Sequence, residues 1–278
     1  MNPLPFLFFF ILSCTTKPAE THTQATQENP QKVLKPEFKA LLDAANLNGS
    51  ILIFDSQTKT FYTNDFAWSE KGQLPASTFK IPNAIIALET GVVENDSVLL
   101  EWHGEKRVFE VWEQDLIFRK AFQVSCVPCF QEIARNIGGE RMNAYLDKLG
   151  YGGTIQVDSV TIDNFWLHGE SRINQFEQID FLSRFYQSEL PISQRTEALM
   201  KNIMVIEDKG TYKISGKTGW TYSDERNNGW FVGYIESEDK VHFFATNFEP
   251  KDNSNIEAFN AARKDLTYEG LRVLGILK

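Results

Sequence analysis

Strand-patterned segments lie towards both ends of this chain, with a long helix-patterned middle between them, and that arrangement leaves few folds open. Towards the N-terminal end, ILIFD and TFYTN read as short strands on either side of a polar turn, which predicts a hairpin over residues 49–64. Towards the C-terminal end, TYKISGKTG, NGWFVGYIES and KVHFFATNFE show strand period, the last two joined by a Glu238-Asp239 turn. From residue 94 to about residue 204 the apolar spacing is mostly helical, with a small strand pair or loop around residues 101–110. A short helix is expected over 36–45, and IEAFNAARKDLTYEGLRVLGIL ends the chain in helical period. The expected class is α+β: one antiparallel sheet assembled from both chain ends, with flanking helices and an inserted all-helical lobe. The sheet lobe falls at 35–75 and 205–278 and the helical lobe at 76–204. A chain of 278 residues with 42% hydrophobic content can bury a core of that size.

The most hydrophobic helical stretch is ASTFKIPNAIIALETGVV, residues 76–93. Ser77 reads as its N-cap, Phe79, Ile81, Ala84, Ile85, Leu88 and Val92 as its buried face, and Gly91 as its stop. Pro82 lies close enough to the start to be accommodated. Ser77 and Lys80, three apart, then share one face of the first turn, where unpaired backbone N–H groups are also available. A serine nucleophile needs a basic neighbour and donors for a developing oxyanion, and this turn offers both. Ser-x-x-Lys is common, and a second copy, Ser56 to Lys59, sits in the polar turn of the hairpin and reads as solvated. The copy at Ser77 differs because burying a lysine without a task costs several kcal/mol.

A net charge of −9 argues against nucleic acid and against electrostatic binding to anionic membranes. His22, His103, His168 and His242 are scattered without ligand spacing, so no metal site is expected. The apolar run from Leu4 to Leu12 is too short to span a bilayer and ends in Ile11-Leu12-Ser13-Cys14. It resembles a bacterial lipoprotein signal in which residues 1–13 are removed and Cys14 is lipidated, although no Lys or Arg precedes the run. An ordinary cleaved signal is the alternative. Residues 14–34, beginning rich in Thr, Gln, Pro and Glu, read as a tether, so membrane contact is expected only through the lipid on Cys14, on the periplasmic side.

Three further segments complete a constellation. Ser125-Cys126-Val127 leads into the apolar helix VPCFQEIARNIG, Phe165-Trp166-Leu167 lies in a turn-rich link, and Lys217-Thr218-Gly219 ends a strand. With Ser77-x-x-Lys80, Trp112, Gln131 to Arg135 and Gly229-Trp230-Phe231-Val232-Gly233, their order resembles the penicillin-recognising serine enzymes, most closely the class D β-lactamases, from about residue 49 onward. Competing motifs fit less well. Ser215-Gly216-Lys217-Thr218 imitates a phosphate-binding loop, but Thr211 stands where glycine is needed and strands follow instead of a helix. Cys126-x-x-Cys129 lacks a second ligand pair and reads as packing rather than as a zinc site or disulfide.

The resemblance implies hydrolysis of β-lactam antibiotics through a Ser77 acyl-enzyme, with no bound cofactor and Lys80 N-carboxylated by carbon dioxide or bicarbonate to act as general base. It implies that Trp166 holds the carbamate, Val127 keeps the pocket dry, and Ser125 relays a proton to the leaving nitrogen with Lys217 beside it. Thr218, Gly219 and Arg263 are implied at the substrate carboxylate, and the backbone N–H groups of Ser77 and Trp220 as the oxyanion hole. A solvated surface charge is the lesser alternative for Arg263, and Trp112, Trp220 and Tyr222 read either as cleft walls or as core. Tyr151-Gly152-Gly153 departs from the family's Tyr-Gly-Asn, removing a side chain that could brace the Trp166 link. Glu170 and Asn174 reproduce a spacing that class A β-lactamases use for a deacylating water, read here as coincidence. The alternative within the same fold is a β-lactam sensor or a peptidoglycan transpeptidase or carboxypeptidase. No feature speaks to oligomeric state.

Overall fold

The computed structural model describes residues 1, 29–223, 225–252 and 256–278. The predicted signal, Cys14 and the tether up to residue 28 lie outside them. Strand β1 (Gln31–Leu34), helix α1 (Pro36–Ala44), strands β2 (Leu47–Asp55) and β3 (Thr60–Thr63) and helix α2 (Phe66–Glu70) open the fold. A 3₁₀ turn (Ala76–Phe79) leads into α3 (Lys80–Glu89), and β4 (Leu99–Leu100) pairs with β5 (Leu116–Ile117). Helices α4 (Phe118–Gln123), α5 (Val127–Ile137), α6 (Gly139–Leu149), α7 (Gln175–Tyr186) and α8 (Gln194–Ile203) follow. Strands β6 (Val205–Asp208), β7 (Tyr212–Ser223), β8 (Arg226–Ser237) and β9 (Lys240–Pro250) and helix α9 (Ile256–Val273) complete it.

The main sheet has the order β1-β3-β2-β9-β8-β7-β6, so β2, from near one end of the chain, pairs antiparallel with β9 from near the other. That is the predicted α+β architecture, with one correction at its margin: residues 31–34 are strand, not tether, and pair parallel with β3. The outer edge of β3 needs a partner for its backbone polar groups, and the chain entering from the N-terminal side supplies one. The small strand pair also lies outside its expected place, flanking the 101–110 loop instead of forming it.

Alternation along β2, β8 and β9 divides the core in two. Ile51, Ile53, Phe231, Ile235, Phe244 and Phe248 turn to one face, where α1 and α9 cover them through Phe38, Leu42, Phe259, Leu266 and Leu271. Leu52, Phe54, Trp230, Val232, Phe243 and Ala245 turn to the other, against the helical lobe, which centres on the fully buried α3 face of Ile81, Ala84, Ile85 and Leu88. The 3₁₀ turn that precedes α3 packs against β7, and the site lies on that seam.

Candidate active site

Ser77 is not a helix N-cap. It lies inside the 3₁₀ turn, which has no side-chain cap, and Ala76 before it takes a left-handed backbone (φ 51°). Residues three apart eclipse in a 3₁₀ turn. Lys80 therefore stands over Ser77, and its Nζ donates to Ser77 Oγ at 3.1 Å. Both side chains are buried, at 6% and 1% exposure. Burial lowers the Lys80 pKa from 10.5 to about 7, and among the described residues no carboxylate forms an ion pair with it. The Phe130 ring of α5, 5.2 Å from Nζ, forms part of that apolar setting. Phe130 is a site neighbour that the sequence analysis did not single out, although its helical spacing from Val127 and Ala134 on the apolar face of α5 could have flagged it.

The close approach of β7 explains Gly219. A Cβ there would lie 3.1 Å from Trp230 Cβ, 3.2 Å from Thr78 Cγ2 and 3.3 Å from Ala76 Cβ, so a side chain would push the strand off the turn. Gly216 N–H donates outward to Met204 O, and the β7–β8 register is unbroken from Tyr212 to Ser223. Backbone groups alternate in direction along an antiparallel strand. The Trp220 N–H therefore points away from β8, on the edge that borders the 3₁₀ turn. Lys217, also buried, donates from Nζ to Thr218 O at 2.9 Å. Burial holds its pKa well below the ordinary lysine value, and the charges of Lys80 and Arg263 push it the same way.

Arg263 is no solvated charge. From α9 its NH1 donates to Gly219 O at 3.3 Å and its Nε to Asn260 O at 3.1 Å, and burial lowers its pKa to about 10. The guanidinium thus lies beside the Lys217-Thr218-Gly219 segment from a helix 44 residues further along the chain. A cavity of about 290 Å³, lined by Phe122, Ile203, Lys217, Thr218 and Lys264 among others, opens along this edge.

Trp166 lies in a turn-rich segment, as its sequence context predicts, and is fully buried. Its carbonyl accepts from Ala76 N–H at 2.8 Å, and its ring stacks on Phe79 with centroids 5.5 Å apart. These contacts tie the link directly to the Ser77 turn. The indole Nε1 has no partner. The link is braced without the family's asparagine: Thr154 pairs with Arg172 and Gln73 with Ile173. Gly153 has φ 86°, and a Cβ there would fall 2.2 Å from Arg172 O, so this bridge needs glycine.

Ser125 takes a left-handed backbone (φ 59°) immediately before α5, with Cys126 as the N-cap and Val127, half-buried, as the first helical residue. In sequence it lies between Phe122, whose ring is 5.9 Å from Lys217 Nζ, and Phe130, whose ring is 5.2 Å from Lys80 Nζ. The reading of Cys126 and Cys129 as packing is corrected: they form a disulfide. A cap residue and one in the first helical turn, three apart, have their Cα atoms only 5.4 Å from each other, which is within bridging range.

Other expectations are settled by position. Glu170 is 78% exposed, 3.9 Å from Arg172, and Asn174 caps α7 in a reciprocal pair with Glu177, so among the described residues each is engaged with a different partner. Trp112 is core, donating to Val124 O at 3.0 Å. The Trp220 ring packs on the α9 side of the sheet and donates to Asn227 Oδ1, and Tyr222 is exposed. Among the described residues no group of three or more His, Cys, Asp or Glu side chains is placed to hold a metal ion.

A family model described as the penicillin-binding protein transpeptidase domain matches residues 40–267. The chain is 40% identical to β-lactamase OXA-10 of Pseudomonas aeruginosa over 256 residues, which is 90% of this chain and 92% of that protein. The chain belongs to the class D β-lactamases. Two solved class D β-lactamases share the fold. One from Nostoc has TM-score 0.82 at 44% identity, covering 86% of this chain and 99% of its own. One from Sebaldella termitidis has TM-score 0.85 at 34% identity, covering 90% and 100%. Family membership favours a hydrolase over a sensor or transpeptidase of the same fold.

Proposed function

We propose that this class D β-lactamase opens the β-lactam amide with Ser77 Oγ and hydrolyses the resulting acyl-enzyme with a base built on Lys80. The observation that carries the assignment is the 3.1 Å hydrogen bond from Lys80 Nζ to Ser77 Oγ at a buried position. A serine hydroxyl becomes nucleophilic only beside a base. An amine whose pKa is about 7 is substantially unprotonated at neutral pH, and only that form reacts with carbon dioxide.

The residues fit an N-carboxylated Lys80. Trp166 Nε1 is a buried donor without a partner, the kind of group a carbamate oxygen would satisfy, and buried donors seldom remain unpaired. Bound there, a carbamate derived from carbon dioxide or bicarbonate supplies a general base. Lys80 and Trp166 would hold it, while Val127 and Phe130 keep water away from the lysine stem.

The remaining roles are assigned to residues near the seam between the 3₁₀ turn, α5, β7 and α9. The backbone N–H groups of Ser77 and Trp220 hold the carbonyl oxygen as negative charge develops on it. Ser125 passes a proton to the departing ring nitrogen, and Lys217, kept deprotonated more readily than an exposed lysine, tunes that relay. Thr218 and Arg263, beside Gly219, take the substrate carboxylate, for which a guanidinium offers a planar fork of donors. The sequence from Ile11 to Cys14 supports attachment of the mature enzyme to a membrane on the periplasmic side.

Steady-state hydrolysis of a chromogenic cephalosporin tests the reading. Wild-type enzyme should turn over and gain activity on adding bicarbonate to depleted buffer, whereas Trp166→Phe should acylate but release product slowly and respond little to bicarbonate. A single burst of one equivalent from wild type would count against hydrolysis. Turnover indifferent to bicarbonate would remove the carbamate while leaving Ser77 in place.

A further inference from the structure

A second cavity, of about 210 Å³, lies on the same face of the sheet as Lys217 and Gly219 but nearer the β7–β8 turn. Its floor is two cross-strand pairs, Thr221 with Asn228 and Ser223 with Arg226. Its wall is the segment from Lys71 to Leu74 together with Arg172. Lys71, Arg172 and Arg226 bring three cations to it; among the described residues Glu249 is the carboxylate that lines it, and Glu170 lies 3.9 Å from Arg172 on the exposed side.

A chain of buried hydrogen bonds fixes which atom Asn228 presents. The Trp68 indole N–H can only donate, and it does so to Asn247 Oδ1 at 3.0 Å. Asn247 must therefore donate from Nδ2, which reaches Asn228 Oδ1 at 3.0 Å and Gly229 O at 3.1 Å. That leaves Asn228, only 6% exposed and part of the cavity lining, with a buried Nδ2 donor that has no partner. Gln73 Nε2 is a second buried donor without a partner, on a residue whose backbone is pinned by two 2.9 Å bonds to Ile173. Two orphan amide donors inside a ring of cations call for a ligand that only accepts hydrogen bonds and carries negative charge. A cation would face the same donors and three side chains of its own sign.

We propose that this cavity binds a small oxyanion, an inorganic phosphate or the carboxylate of a small organic acid. The ligand would accept from Asn228 Nδ2 and Gln73 Nε2, with Arg226, Lys71 and Arg172 supplying charge. Arg172 is already oriented, since its NH1 donates to Gly169 O at 2.7 Å and to Ser171 O at 2.9 Å. Three segments that lead into the active site meet at this point. Leu74 O accepts from the Trp230 indole at 2.9 Å, three residues before Ser77, and Thr221 Oγ1 donates to Leu167 O at 2.8 Å, next to Trp166. An anion here would tie the Ser77 turn, the Trp166 link and the strand carrying Trp220 together from behind.

Isothermal titration calorimetry on the Arg263→Ala enzyme, whose cleft has lost its main anion anchor, tests this. Inorganic phosphate and acetate are the two probes, each against sodium chloride at matched ionic strength. The expected result is saturable binding of at least one probe at one equivalent, weakened about tenfold or more by adding Arg226→Glu, the loss expected for one charge-assisted hydrogen bond. Asn228→Asp keeps the shape and the acceptor for Asn247 while replacing the donor with a carboxylate, and should abolish binding. Which probe saturates assigns the ligand to phosphate or carboxylate. Absence of saturable binding by either, meaning that water alone satisfies the donors, overturns the proposal, as does binding that Arg226→Glu and Asn228→Asp leave unchanged.

Discussion

Replacing Lys80 by Met should make the protein more stable while abolishing its activity, and the gain should depend on pH in a way that identifies the amine as its source. The folded pKa is about 7 against 10.5 for an ordinary lysine, so between those values the unfolded chain binds a proton that the native state does not. Stability rises with pH wherever the unfolded state binds more protons. Burial of the amine therefore costs nothing above about pH 10.5, grows by about 1.4 kcal/mol for each pH unit below it, and reaches roughly 4 kcal/mol at pH 7 before levelling off. Met preserves the length of the stem without the titrating group, and forfeits the hydrogen bond to Ser77, worth about 1 kcal/mol. The net gain is then about 3 kcal/mol at pH 7 and close to zero near pH 9.5. Urea unfolding of both proteins in carbon dioxide-free buffer at the two pH values measures this directly. Bicarbonate should raise the midpoint of wild type and leave the variant unmoved. An equal difference at both pH values, or a variant less stable at pH 7, would refute the argument that desolvation of this amine dominates.

Arg263→Ala should lower kcat/KM for carboxylate-bearing β-lactams by roughly 10- to 100-fold, the range of one or two charge-assisted hydrogen bonds, mainly through KM; steady-state kinetics would show it, and an unchanged KM would return Arg263 to a packing role. Glu170→Gln should leave turnover within about twofold, because the carboxylate is 78% exposed and pairs, among the described residues, with Arg172; an acyl-enzyme that accumulates in mass spectra of this variant would give Glu170 a part in deacylation. Cys14→Ser should move the protein from the membrane fraction to the soluble periplasmic fraction at unchanged specific activity, and soluble wild type would dispose of the lipid anchor.

The short apolar, β-branched and aromatic runs at ILIFD and in the three C-terminal segments, bounded by turn residues and with helical period between them, were enough to determine a sheet built from both chain ends, because these signals are local. The chemistry at Ser77 and Lys80 was legible for the same reason: a lysine in the most apolar helix of the chain has no inexpensive explanation. What depends on segments meeting in space was not legible. The 3₁₀ form of the Ser77 turn follows from packing against β7 and from the left-handed Ala76, neither of which has a local signal. Residues 31–34 look like tether by composition and become strand only because the β3 edge lies beside them. Arg263 looks like any charge on a helix until α9 brings it to Gly219. Gly153 looks like a lost brace, and proves to be the one residue that fits against the backbone of Arg172. The orphaned Nδ2 of Asn228 required a chain of three side chains drawn from distant parts of the sequence, with Trp68 fixing the direction of every bond. Period and propensity act over a few residues and survive in the sequence, whereas burial, hydrogen-bond direction and pKa are set by neighbours that only the closed fold supplies.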